Sequence, residues 1–160
     1  VSEARDKGFT EPDPREDLNG YDVRRKILIL AREAGYPLEE DDVKLEYFLN
    51  KKARSAETVE AFFKVLQEED ENLEKYILNL GKESKKARMI ADFKNGKATI
   101  GVQEVGETSP FYGLQGSDNM IVITTKRYSD TPLIIRGPGA GAEVTAAGVL
   151  AEIIRIANSI

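Results

Sequence analysis

The chain has 160 residues, 41% hydrophobic and 32% charged, enough for one domain with a proper core and too short for two full-sized ones. Its net charge of −5, from 28 acidic against 23 basic residues, gives no general attraction to nucleic acid or to an anionic membrane. Without cysteine or histidine the chain excludes disulfides, thiol nucleophiles, imidazole bases and the usual zinc sites, so acid–base chemistry falls to Lys, Asp, Glu or Tyr. No apolar run reaches membrane-spanning length and no signal peptide opens the chain, so a cytoplasmic protein is expected.

Residues 1–7 read as the end of a helix stopped by Gly8. Next comes a proline-stiffened acidic stretch: Pro12 and Pro14 fix their own φ and push Glu11 and Asp13 toward extended geometry. Glu11, Asp13, Glu16 and Asp17 crowd four carboxylates into seven positions just before a helix start, where free N–H groups favour negative charge. Spacing predicts a helix over 19–33, ended by Gly35 and Pro37, with Val23, Ile27, Leu30, Ala31 and Ala34 on its apolar stripe. Asp22 and Lys26 lie at i, i+4 beside that stripe, so an acid and an amine share one helical face.

Residues 42–49 alternate and suggest a short strand. Ser55 is the expected N-cap of a helix over 56–67, followed by a second helix through Leu73, Ile77 and Leu80 that Gly81 interrupts or caps. The period then changes to two, and Asn95-Gly96 between alternating runs predicts an antiparallel hairpin of 87–94 with 97–105. A turn-rich stretch through Gly116-Ser-Asp-Asn119 leads to strands over 120–125 and 132–136. The expected fold class is α+β: a mainly antiparallel or mixed sheet of these four strands, with helices 19–33, 56–67 and 144–158 mostly on one face.

The last element is the junction Gly137-Pro-Gly-Ala-Gly141 before the final helix, whose glycines leave room for a ligand at a helix N-terminus. Its spacing is not G-x-G-x-x-G and no second strand follows, so a self-contained dinucleotide site is excluded. A tight turn that packs the last helix on the sheet is an equal reading of the same glycines.

The string Thr10-Glu-Pro-Asp-Pro-Arg-Glu-Asp-Leu-Asn-Gly-Tyr-Asp-Val-Arg-Arg-Lys26, the Gly116-Ser-Asp-Asn119 turn and the tail RGPGAGAEVTAAGVLAEIIRIA together resemble the homoserine dehydrogenase family, in the expected order over essentially the whole chain. That resemblance implies the C-terminal catalytic and dimerisation part over 1–160, without the N-terminal Rossmann domain that binds NAD or NADP. It implies interconversion of homoserine and aspartate semialdehyde, a step of threonine, methionine and isoleucine biosynthesis. Asp22 and Lys26 match the family's catalytic pair, Glu11 and Asp17 the substrate-holding carboxylates, and Gly137, Gly139 and Gly141 the cofactor-binding tail near the nicotinamide; no metal ligand is assigned. A homodimer is implied, and the end at Ile160 suggests a member fused to an aspartate kinase domain. Glu16 stands where Asp is common in the family and Arg24 where Ala is common, and the family's second active-site lysine belongs to the N-terminal region.

In that chemistry Lys26 takes the hydroxyl proton of the alcohol, or supplies it in reverse as alkoxide develops, and Asp22 orients the amine. Glu11 and Asp17 pair with the substrate ammonium. Alone, the chain is expected neither to bind the coenzyme tightly nor to turn over homoserine. The alternative is a non-catalytic α+β module that captures a small cationic metabolite or a metal through the acidic loop 11–17.

Overall fold

The computed structural model describes residues 1–6, 10, 12–116, 118–139 and 141–159. Gly8 and Glu11, both singled out in the sequence, lie outside the described residues. The chain divides into two compact units, residues 1–109 and 110–160.

The first unit opens with helix α1 (Ser2–Asp6) and a short helix α2 (Pro14–Leu18). Helix α2 falls where a stiff loop was expected, although its start carries the usual helix signals. Asp13 is extended, accepts from the Arg15 backbone N–H, and is followed by Pro14 at the first helical position, where the missing N–H costs nothing. Asn19 and Gly20 then turn the chain into α3 (Tyr21–Glu33), with Gly20 at φ +78°, so the helix starts two residues later than its spacing predicts. The buried face of α3 is Ile27, Leu28 and Ala31, flanked by Val23; Leu30, placed on that stripe from the sequence, is exposed.

After a 3₁₀ turn, strand β1 spans only Val43–Leu45, shorter than the alternation over 42–49 suggests. Helix α4 (Lys51–Arg54) follows, then α5 (Val59–Lys82), one continuous helix through Gly81. Ser55 ends α4 instead of starting the next helix; the N-cap of α5 is Thr58, whose hydroxyl accepts from the Ala61 N–H at 3.1 Å. The hairpin forms as the Asn-Gly signal requires, β2 (Lys85–Lys94) against β3 (Lys97–Gly106), with Asn95 and Gly96 both at positive φ.

These strands make a mixed sheet in the order β1-β3-β2, with β1 parallel to β3. Helix α3 covers the face carrying Val43, Leu45, Met89, Ala91, Phe93, Ala98 and Ile100. Tyr76 of α5 hydrogen-bonds Glu104, which alternation puts on that same face, so both long helices of the unit lie on one side. Ile100 is therefore core, at 1% exposure, and not part of an open face awaiting a partner. A second cluster, Leu49, Ala53, Phe62 and Val65, joins α4 to α5 and receives Leu18 from α2.

In the second unit, β4 (Asp118–Ile123) pairs antiparallel with β5 (Leu133–Pro138), and α6 (Ala142–Ala157) follows. The four C-terminal strands expected in one sheet thus form two ladders, since alternation marks a strand without naming its neighbour. Val149, Leu150, Ile153, Ile154 and Ile156 of α6 are each more than half exposed. The class is α+β with small mixed and antiparallel sheets.

Candidate active site

Lys26 and Asp22 point the same way from α3, one turn apart, with Nζ 2.7 Å from Asp22 Oδ2. Both are about half exposed, at 50% and 46% of their side chains, so the pair stands at the surface with its amine reachable. The helix that carries it is pinned to the sheet by Ile27, Leu28 and Ala31.

The acidic stretch reaches this helix through α2. Asp17 is half-buried near the end of α2, its carbonyl accepts from the Gly20 N–H at 3.2 Å, and α2 rests against α3. Glu16 lies 3.8 Å from Arg25 of α3, while Arg24 points elsewhere: it pairs with Glu40 at 2.5 Å and lies over the Tyr21 ring at 5.1 Å. The two departures from the family pattern therefore sit in surface pairings of their own. Asp22, Lys26 and Asp17 share one helix–turn–helix, and Glu11, the fourth expected member, lies outside the described residues.

Two residues of this motif were passed over in the sequence. Arg15 forks onto Asp13, with Nε 2.9 Å from each carboxylate oxygen and Nη2 2.5 Å from Oδ2, and its Nη1 donates to the Ala56 carbonyl. The guanidinium beside Asp13 holds that carboxyl below the usual carboxylate range, and burial opposes the shift only in part. Asn19, in the turn from α2 to α3, is buried, and its side-chain oxygen has no hydrogen-bond partner among the described residues. Asp-Pro-Arg reading as N-cap, N1 and N2 was the available signal for the first; no spacing rule flags the second.

An open cavity of ≈ 290 Å³ is lined by Glu46, Tyr47, Phe48, Tyr76 and Val102, and none of Asp17, Asp22 and Lys26 lines it. Burial pushes the Tyr76 phenol up, and Glu104 adds to the rise. Among the described residues no group of three or more Asp or Glu is arranged to hold a metal ion, and no helix is long and apolar enough to cross a membrane.

Gly137, Gly139 and Gly141 belong to the second unit. Gly137 closes on Asn119 in the β4–β5 register, so the Gly-Ser-Asp-Asn turn and the glycine tail meet. A β-carbon at Gly139 would fall 1.2 Å from Asn119 Nδ2, which leaves room for hydrogen only. Among the described residues nothing lies within 4 Å of a β-carbon at Gly137 or Gly141, and Gly141, at φ +127°, is the residue before α6.

A crystal structure of a Candida auris protein of unknown function is similar over 99% of this chain and 45% of that one, with a TM-score of 0.86 at 42% identity. The Staphylococcus aureus homoserine dehydrogenase shares the fold at a TM-score of 0.68 and 21% identity, over 98% of this chain and 35% of that one. By sequence, the chain falls in a family of dehydrogenases. Residues 1–154 match the homoserine dehydrogenase family, and the chain belongs to it. Among its relatives, the chloroplastic bifunctional aspartokinase/homoserine dehydrogenase 2 of Arabidopsis thaliana is 43% identical over 160 residues, 99% of this chain and 18% of that protein. The Saccharomyces cerevisiae homoserine dehydrogenase is 39% identical over 161 residues, 99% of this chain and 45% of that protein. The chain thus spans less than half the length of these relatives, which include both fused and unfused enzymes.

Proposed function

We propose that this chain supplies the amino-acid site of an enzyme interconverting L-homoserine and L-aspartate 4-semialdehyde, with NAD or NADP as coenzyme, in the aspartate branch of amino-acid biosynthesis in the cytoplasm. The observation that carries this reading is the Asp22–Lys26 pair, reachable at 2.7 Å on a helix pinned to the sheet, in a chain of this family. Lys26 accepts the hydroxyl proton of homoserine, and in the reverse direction its ammonium donates to the oxygen of the aldehyde as negative charge develops there. Asp22 holds the amine in place through its contact with Nζ. Asp17, with Glu11, pairs with the substrate ammonium and so selects an amino acid over a simple alcohol. The bound coenzyme supplies the hydride acceptor or donor, and Gly137 and Gly141 let it approach the backbone before α6, while Gly139 makes room for Asn119 beside them. Because the relatives are longer, we assign the main coenzyme-binding contacts to a part of the enzyme outside this chain.

The working protein is a symmetric homodimer. Ile134 and Ile135 lie on opposite faces of the β4–β5 ladder and are both about half exposed, which supports a protein partner for it. A monomer mass in light scattering at high concentration would refute this part.

The test of the activity is Lys26→Ala in the parent enzyme. Homoserine-dependent coenzyme reduction should disappear while homoserine binding stays measurable by calorimetry. Turnover within a few-fold of the wild type would overturn the assignment of Lys26, and a wild type that never reduces coenzyme with homoserine would overturn the whole reading.

A further inference from the structure

We propose that Arg15 is a positioning residue for the amino-acid site: it locks α2, and Asp17 with it, to the connection between α4 and α5. The inference rests on the functional reading above and deepens it.

A helix of five residues does not hold itself together in water. Three ties hold α2: Pro14 at its first position, Leu18 in the cluster of Leu49, Ala53, Phe62 and Val65, and the Arg15 guanidinium. Arg15 and Leu18 are three apart, so one side of α2 faces the α4–α5 connection. The guanidinium uses its planar fork fully. Nε and Nη2 engage both Asp13 oxygens at 2.5–2.9 Å, and Nη1 donates to the carbonyl of Ala56, just before the Thr58 cap of α5. Its side chain is four-fifths buried, at 19% exposure, so water screens the contact poorly. A lysine ammonium, as a point charge, cannot make the two-oxygen contact and the carbonyl contact in the same geometry.

The lysine–aspartate pair depends on none of this. Helix α3 is held by Ile27, Leu28 and Ala31 on the sheet. Loss of the Arg15 bridge therefore lets α2 roll about its Leu18 contact and turns the Asp17 side chain relative to Lys26, while Asp22 and Lys26 keep their spacing. Substrate capture and proton transfer come apart: the KM for homoserine rises and kcat holds.

The experiment takes the parent enzyme as wild type, Arg15→Ala, Arg15→Lys, Asp13→Asn and the double variant Arg15→Ala/Asp13→Asn, with KM for homoserine and for coenzyme measured separately. Arg15→Ala should raise the homoserine KM by about tenfold or more, the scale of a lost charge-assisted contact, with kcat within about threefold and the coenzyme KM unchanged. Arg15→Lys should recover only part of the loss, and the double variant should be no worse than the worse single. A purely structural role would lower the active fraction, hence kcat, and leave KM alone. A homoserine KM within about twofold of wild type in folded Arg15→Ala overturns the inference, as does a fall confined to kcat. If Arg15→Ala does not fold, Arg15→Lys and Asp13→Asn are read by the same criteria. Wild-type turnover with an unmoved KM overturns this inference alone. A wild type without homoserine-dependent turnover overturns the proposed function and takes this inference with it.

Discussion

Replacing Asp22 by Asn separates what the Asp22–Lys26 pair does for the fold from what it does for the reaction. The pair is an exposed i, i+4 contact at 2.7 Å, and such pairs contribute only about 0.3–0.5 kcal/mol. Asp22 also sits in the first turn of α3, where the free N–H groups favour an acid by roughly 0.3–1 kcal/mol. Asp22→Asn should therefore cost about 0.5–1.5 kcal/mol, small beside the roughly 5–15 kcal/mol that holds a domain folded. In urea, with a slope of about 1–3 kcal/mol per molar, the midpoint moves by roughly 0.2–1.5 M. Turnover has a different scale. A carboxylate that orients the proton-transferring amine is worth about 10²–10⁴ in rate, or roughly 3–5 kcal/mol of barrier. Urea melts followed by far-UV circular dichroism and homoserine-dependent coenzyme reduction on the same preparations measure the two effects side by side. A destabilisation above about 2 kcal/mol with a matching loss of activity would mean the pair is structural. Turnover within about threefold of wild type would mean Asp22 has no part in the chemistry.

Phe62 of α5, fully buried in the cluster with Ala53 of α4 that receives Leu18, should cost about 3–5 kcal/mol on truncation to Ala; a urea-derived loss below about 1 kcal/mol would show that the second cluster is not what anchors α2. Gly20→Ala meets φ +78° and a Leu45 Cδ1 only 3.1 Å from the new β-carbon, so a loss of roughly 1–2 kcal/mol or more is expected in the same melt, and an unchanged midpoint would refute the strained turn. Asp13 titrates low because of Arg15, so its folded pKa lies below its unfolded one. The stability it lends is complete above its ordinary pKa and is lost as the pH falls through and below about 4. Asp13→Asn should flatten the acid limb of a stability-against-pH curve in that window, and an unaltered limb would count against the Asp13–Arg15 contact.

The readable parts of the sequence were those where one residue pair fixes geometry locally. Asn95-Gly96 set the hairpin and its register, because both residues accept positive φ and the strands on either side have no other short route. Asp22 and Lys26 were legible because i, i+4 spacing alone puts side chains on one face. Ser55 and Thr58 are chemically near-equivalent caps three residues apart, and only the packing of Ala53 and Phe62 decides that the first ends a helix and the second begins one. The α2 turn was hidden by its own prolines, read as loop stiffeners although Pro14 is also a helix starter. Alternation gives β3 two faces and does not say that α3 returns to cover the one that carries Ile100. Arg15 and Asn19 gain their meaning from Ala56 and from burial, neither of which is a property of nearby sequence.

The packing of α3 on the late strand β3 has a consequence for how that helix comes into being. The hairpin of β2 and β3 closes through a two-residue turn and forms in microseconds. Helix α3 ends at Glu33, yet Ala98 and Ile100, against which it rests, emerge from a ribosome roughly seventy residues later. At about 5–20 residues per second, the segment bearing Asp22 and Lys26 spends several seconds of synthesis without the surface that orients it. During that interval its apolar stripe has no sheet to rest on, so the helix is made early and reaches its packed place late.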